Sequence, residues 1–324
     1  PTQFSWIIAL DVASDGSLWV ADAQSLDIRV FSAEGRHLFT VGGRGEGPGE
    51  FQDLRFVGAH PDGSVLAVDG RTLRVTRFGV DGELRQTQRW SVPSMVLPIG
   101  ISAAGSLVGL TFPAIPAAVF GDPEGTYTDT AAVLRWIDPS TEPDTVARPA
   151  AITSVVSRDG AQVVPFTRMP AVGVADNVYV SSGPNFEIDV LASDGSRGRI
   201  AVDRDPRPVS SVVGDFREYV RVTSPPEIAG QRIALLDHPA LPEFLPAYAT
   251  IIPTPGGEVW ASHSSVDPSA ATTWDVFAGD GQFLGQVVSP DGFAIYSIDG
   301  DIVTGVTRDE FGVPYLQRWA ISRN

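Results

Sequence analysis

Short apolar runs of four to six residues recur along the whole chain, broken by turn residues at regular intervals. Leu18-Trp19-Val20-Ala21-Asp22 follows the turn Asp15-Gly16-Ser17, and Val65-Leu66-Ala67-Val68-Asp69 follows Asp62-Gly63-Ser64. Weaker copies follow Ala104-Gly105, Asp176-Asn177, Gly256-Gly257 and Asp299-Gly300. Each is an apolar run, a turn that tolerates positive φ, and a second apolar run, which predicts a hairpin. A second turn closes each of the first five units, at Glu34-Gly35, Asp81-Gly82, Pro139-Ser140, Asp194-Gly195 and Asp280-Gly281. Six units of about four strands predict an all-β chain, a six-bladed β-propeller forming a single domain over 1–324. The sixth unit lacks an outer strand, and Pro1–Phe4 or something upstream is expected to supply it.

Two stretches break the repeat. Thr111–Ala131, rich in Pro, Ala and Gly, is expected to be a loop between two strands of the third blade. The longer insert, 203–250, lies before blade five. Within it Val213, Phe216, Tyr219 and Val220 stand at helical spacing behind Ser210 and Ser211, candidate caps, so the insert is expected to be partly helical. Ala240–Ala247 carries Leu241, Phe244 and Leu245 among prolines.

Composition narrows the class. The 324 residues include 33 Gly and 26 Pro, in keeping with many turns, and 43% apolar residues, enough for a core. The 39 acids against 23 basic residues, all Arg, give a formal charge of −16, which argues against a nucleic-acid partner. There is no Cys, so no disulfide framework and no thiolate metal site. No apolar run reaches the length of a membrane span. The abrupt start at Pro1 suggests a removed leader or an upstream tether, and a periplasmic or extracellular location is expected.

Leu18–Asp22, Ile28–Phe31, Glu34-Gly35 and Val41-Gly42-Gly43, continued by Gly45–Phe51, resemble an NHL-type repeat. Phe216–Tyr219, Leu245–Tyr248 and Gly257–Trp260 resemble bacterial six-bladed propeller proteins, mostly of unknown function. The resemblance covers nearly the whole chain and implies architecture. Propellers of this kind often serve as binding platforms, and some relatives are hydrolases or lyases with metal in the central channel.

Candidate chemistry is sparse. Aligning the end of the second strand of each unit gives the column Asp22, Asp69, Thr111, Ser182, His263 and Val306. Two carboxylates and an imidazole could hold a divalent cation. Asp at a strand end also caps the following turn. No HxH, HExxH or GxSxG motif is present, and the inner segments Leu54–Ala59, Val96–Ile101, Met169–Val174 and Thr250–Pro253 are almost free of acids. Gly42–Gly49 lacks the GK[ST] ending of a phosphate loop. Arg55, Arg71, Arg168 and Arg308 are placed to approach the funnel, where they could hold an anion or neutralise acids. The sequence therefore favours a non-catalytic binding or scaffold propeller, an extrinsic subunit meeting another protein or complex through Phe216, Tyr219, Phe244, Leu245 and Tyr248, with no metal or cofactor. The alternative is a metal-dependent hydrolase or lyase acting on a small or sugar-derived molecule in the channel, with Asp22, Asp69 and His263 as the site and Arg71 orienting an anion.

Overall fold

The first unit forms β1 (Ile7–Val12), β2 (Leu18–Asp22), β3 (Asp27–Phe31) and β4 (His37–Gly42), paired in chain order as one antiparallel sheet. β2 is buried along its whole length, while β4 alternates between half-buried and exposed positions. A strand clamped between neighbouring sheets must be apolar on both faces; the outermost need not be. The turns are those the pattern predicts. Gly16 and Gly63 sit at φ +81° and +84°, where a side chain would be strained, and Asp15 and Asp62 accept the amides of Ser17 and Ser64 at 2.9 and 3.0 Å.

The computed structural model describes residues 3–93, 95–111, 124–149, 151–157, 160–167 and 169–322. The second sheet is β5 (Leu54–Ala59), β6 (Val65–Asp69), β7 (Arg74–Phe78) and β8 (Leu84–Arg89). The third is β9 (Val96–Ile101), β10 (Leu107–Thr111), β12 (Val133–Trp136) and β13 (Asp144–Ala147). A separate three-stranded sheet joins β11 (Gly125–Thr130), β14 (Ala151–Ser157) and β15 (Gly160–Val163). The remaining sheets are β16 (Ala171–Val174) to β19 (Arg197–Ala201), β20 (Tyr248–Pro253) to β23 (Phe283–Ser289), and β24 (Ala294–Asp299), β25 (Ile302–Arg308) and β26 (Pro314–Ala320). Within the fourth and fifth, β17 is Val178–Ser181, β18 Glu187–Leu191, β21 Val259–His263 and β22 Thr272–Phe277.

The first strands touch in cyclic order, β1 to β5, β9, β16, β20, β24 and back to β1. Radial sheets around a common hub make the fold a β-propeller. Gly173 permits the closest approach: a Cβ there would meet Ile251 at 2.8 Å. Aromatic wedges fill the gaps between sheets. Trp19 packs on Phe39 and Phe78, Trp90 on Trp136, and Phe293 on Trp319.

Among the described residues the sixth sheet has three strands, and Phe4 adds no fourth. Pro1 and Thr2 lie outside the described residues, and Phe4 packs on Phe31 and Arg29 of the first sheet rather than pairing with β26. The seam is held by side chains: Phe4, Ile7, Leu10 and Val306 share one cluster, and Tyr296 Oη donates to Ile7 O at 3.4 Å.

Both inserts depart from one end of the sheets, the end at which second strands finish and first strands begin. The stretch expected to be a loop contains β11, with 112–123 outside the described residues. The predicted helix forms as α1 (Val213–Thr223), followed by α2 (Pro226–Ala234). Neither serine caps it: Val212 occupies the cap position, and Ser211 Oγ donates to Pro208 O at 2.7 Å. The arm packs on the accessory sheet through Phe166–Phe216, with centroids 5.1 Å apart, and through Gln162 Nε2 donating to Gln231 at 2.6 Å.

Candidate active site

The column of strand ends is real, with one shift. In register, Asp22, Asp69, Thr111, Ser181, His263 and Val306 each face the first residue of their sheet's hub strand, so Ser181 rather than Ser182 belongs to it. Its carboxylates are saturated. Asp22 is fully buried and accepts the amides of Ser5, Trp6 and Gln24 at 2.8, 3.1 and 3.0 Å. Asp69 accepts those of Gln52, Asp53, Arg71 and Thr72 at 2.6, 3.3, 2.8 and 2.7 Å. Burial pushes both carboxyls up, but the converging amides outweigh it and hold both below the ordinary range. Each ties the start of a hub strand to the next turn in its own sheet.

His263 belongs to a different assembly. Asp275 is fully buried and takes Arg204 Nη1 and Nη2 at 2.9 and 3.3 Å, Tyr248 Oη at 2.8 Å and Gln286 Nε2 at 2.8 Å. His263 Nε2 lies 3.0 Å from the same carboxylate. Burial opposes the charge of Asp275, yet His263, Gln286, Arg204 and Tyr248 together hold its carboxyl well below the usual range. The Arg204 guanidinium stacks 4.4 Å over the Phe186 ring. This network pins the start of the 203–250 insert, at Arg204, to the fifth sheet. Asp22, Asp69 and His263 therefore do not converge, and among the described residues no three His, Asp or Glu side chains form a cation-holding group. Arg71 contributes its amide to Asp69, while its side chain lines a separate pocket on the second sheet. Arg168 lies outside the described residues.

The expected docking residues point inward. Phe216, Leu245 and Tyr248 are buried, and Tyr219 and Phe244 are half-buried. Phe216, Tyr219 and Leu245 form the arm's own apolar cluster with Val220, Leu236 and Phe166. An apolar stripe at helical spacing is satisfied by this packing, which leaves most of it out of a partner's reach.

The hub holds a cavity of about 640 Å³, open at the end opposite the arm. Its wall is built by the later residues of the six hub strands and the turns that follow them, including Phe56, Ile99, Val172, Ile251 and Tyr296, with polar groups from His60, Ser102, Asp176, Thr254 and Ser297, and no Arg among the described residues lines it. Asp11 lines it too. The carboxylate accepts the amides of Ala59 at 2.8 Å and of Val12 at 2.8 Å. Burial outweighs these two bonds, so the Asp11 carboxyl is pushed up from its ordinary value. Positions in register with Asp11 on the other hub strands are Gly58, Gly100, Gly173, Ile252 and Ile298. One acid in a column of Gly and Ile is a visible signal, but it emerges only when the first strands are aligned. Nearby His60 is held on both sides, with Nδ1 2.7 Å from Asp62 Oδ1 and Nε2 3.2 Å from Gly105 O.

Neither a family model nor a curated protein sequence matches the chain. Solved structures do. A gluconolactonase from Xanthomonas campestris aligns with a TM-score of 0.52 at 14% identity, over 97% of this chain and 86% of that one. A Bacteroides fragilis protein classed as exported gives 0.52 at 10% identity, over 99% and 92%. A member of the DUF4221 family from Bacteroides vulgatus gives 0.50 at 7% identity, over 99% and 94%. At these identities the likeness is one of fold. The expectation of a non-catalytic scaffold is corrected to this extent: a structure that shares the fold over 97% of this chain is a gluconolactonase, so the architecture gives no ground for excluding catalysis.

Proposed function

We propose that this chain is a hydrolase for a small, neutral ester or lactone, bound in the hub cavity of a six-bladed propeller of NHL-like repeats. The observation that carries the reading is the Asp11 carboxyl, raised by burial and lining the hub cavity among apolar side chains and a few polar ones, His60, Ser102, Asp176, Thr254 and Ser297. The fold likeness to a gluconolactonase supports it. In this role Asp11 takes a proton from water as the water oxygen bonds to the acyl carbon. It returns that proton to the alcohol oxygen as the acyl C–O bond breaks. A carboxyl raised above its ordinary range by burial suits both transfers. Among the described residues no three His, Asp or Glu side chains gather at the cavity to hold a metal ion. The Asp11 and Asp176 carboxyls on the wall disfavour an anionic substrate. An extracytoplasmic location fits the fold likeness to a protein classed as exported, and no helix among the described residues is long and apolar enough to cross a membrane.

The test is a panel of aliphatic and aromatic lactones and esters assayed with the full chain and with Asp11→Asn. The expected result is turnover that falls about a hundredfold in the variant, chiefly in kcat. In the unmodified chain kcat/KM should climb with pH through a pKa above the ordinary carboxylate range. Turnover equal in both proteins, or none on any member of the panel, would sink the proposal.

A further inference from the structure

The second sheet carries a pocket of about 590 Å³ whose wall includes three guanidinium groups, those of Arg71, Arg74 and Arg89. Arg74 and Arg89 stand directly opposite each other across the β7–β8 ladder. Like charges so placed repel. Among the described residues none of the three pairs with a carboxylate, although acids outnumber Arg 39 to 23 in the chain. Arg74 Nη1 donates instead to the carbonyl oxygen of Glu46 at 2.8 Å. The Glu46 carboxylate, also on this wall, accepts Gln52 Nε2 at 2.6 Å. The Thr72 hydroxyl, on the same wall, is buried without a partner.

Comparison with the first sheet makes the charge specific to this blade. Asp22 faces Asp27, which faces Gly42; in register, Asp69 faces Arg74, which faces Arg89. Gln24, two residues after Asp22, stands where Arg71 follows Asp69. The repeat thus builds the same turn with Gln, Asp and Gly at the three positions, so its backbone does not call for arginine there. Three cations gathered at sites where the fold needs none, beside an unsatisfied hydroxyl, make a receptor for an anion.

We propose that this pocket binds a phosphoryl group, inorganic phosphate or a phosphate monoester, held by Arg71, Arg74 and Arg89 with Thr72 as a further donor. A guanidinium fork matches two phosphate oxygens at once, and a dianion is what three unpaired guanidinium groups can balance. The site lies on the second sheet, apart from the hub cavity, so it is independent of the hydrolase reading.

Calorimetric titration of the full chain with inorganic phosphate at low ionic strength tests it, with glycerol phosphate and citrate as comparisons. Saturable binding of one phosphate per chain is expected, weakened at least tenfold in Arg71→Gln and in Arg89→Gln. Both side chains are exposed, so the variants should stay folded, which circular dichroism checks. Phosphate should also raise the Tm of the unaltered chain and leave that of the double variant unmoved. Tighter binding of glycerol phosphate than of phosphate would identify a monoester as the ligand. No saturable heat, equal affinity in the variants, or a preference for citrate would overturn the proposal.

Discussion

Asp69 and Asp11 are both carboxyls at the hub of the same ring, and their environments drive them in opposite directions. Asp69 stands at the arm-bearing end and accepts four backbone amides; Asp11 stands at the open end and accepts two. Burial raises both, but only at Asp69 do the amides overcome it. Burial alone therefore does not mark a reactive acid. What counts is burial set against the number of donors aimed at the charge. A fully capped carboxylate is part of the frame, whereas an under-capped one facing a cavity is available for proton transfer.

The comparison can be broken most directly by removing the capped acid. Asp69→Ala orphans four amides and should cost about 3 kcal/mol, read from urea denaturation. A loss under about 1 kcal/mol would mean that the capping is incidental. Asp11→Asn should instead strike turnover, by about 2.7 kcal/mol of activation free energy if the expected hundredfold holds, while removing far less stability than the change at Asp69. Equal destabilisation by both would erase the distinction between frame and site.

A finer test uses pH. Asp22, Asp69 and Asp275 are held below their unfolded values, so their contribution is present above about pH 4 and is lost as pH falls through their lower folded pKa values. Asp11 has the reverse sign. Its folded pKa lies above the unfolded one, so its contribution is full below about pH 4 and is lost as pH rises through the folded value. Urea midpoints measured between pH 3 and 7 should therefore respond to acid less steeply in Asp69→Asn than in the unaltered chain. The smallest effect is expected at Asp15, an exposed turn acid that accepts the amide and hydroxyl of Ser17 at 2.9 and 2.6 Å. Asp15→Ala should cost well under 1 kcal/mol by the same measurement.

Much of the frame was legible in the sequence. Asp-Gly turns between alternating runs marked the hairpins, because only a few residues accept the left-handed turn position and period-two patterning exposes the faces of a strand. The spacing of Val213, Phe216 and Val220 foretold α1. β11 did not declare itself, since a strand on an accessory sheet needs little apolar alternation; its residues are half-buried or exposed. Leu245 and Phe216 read equally well as a docking stripe or as the inside of a folded arm, because an apolar pattern says that a face is covered and not by what. Asp22 and Asp69 drew notice as acids in a repeat, though repetition was the sign that they belong to the frame. Asp11 went unnoticed because nothing local sets it apart.

The sequence by itself determined the strand periodicity and the turns, since these depend on contacts between residues close along the chain. Only the tertiary structure decided which polar groups meet. Ala59 donates to Asp11 across 48 positions and Arg204 to Asp275 across 71. Whether a carboxyl is saturated or left able to exchange a proton depends on how many donors the folded chain aims at it, and local pattern carries no record of that geometry.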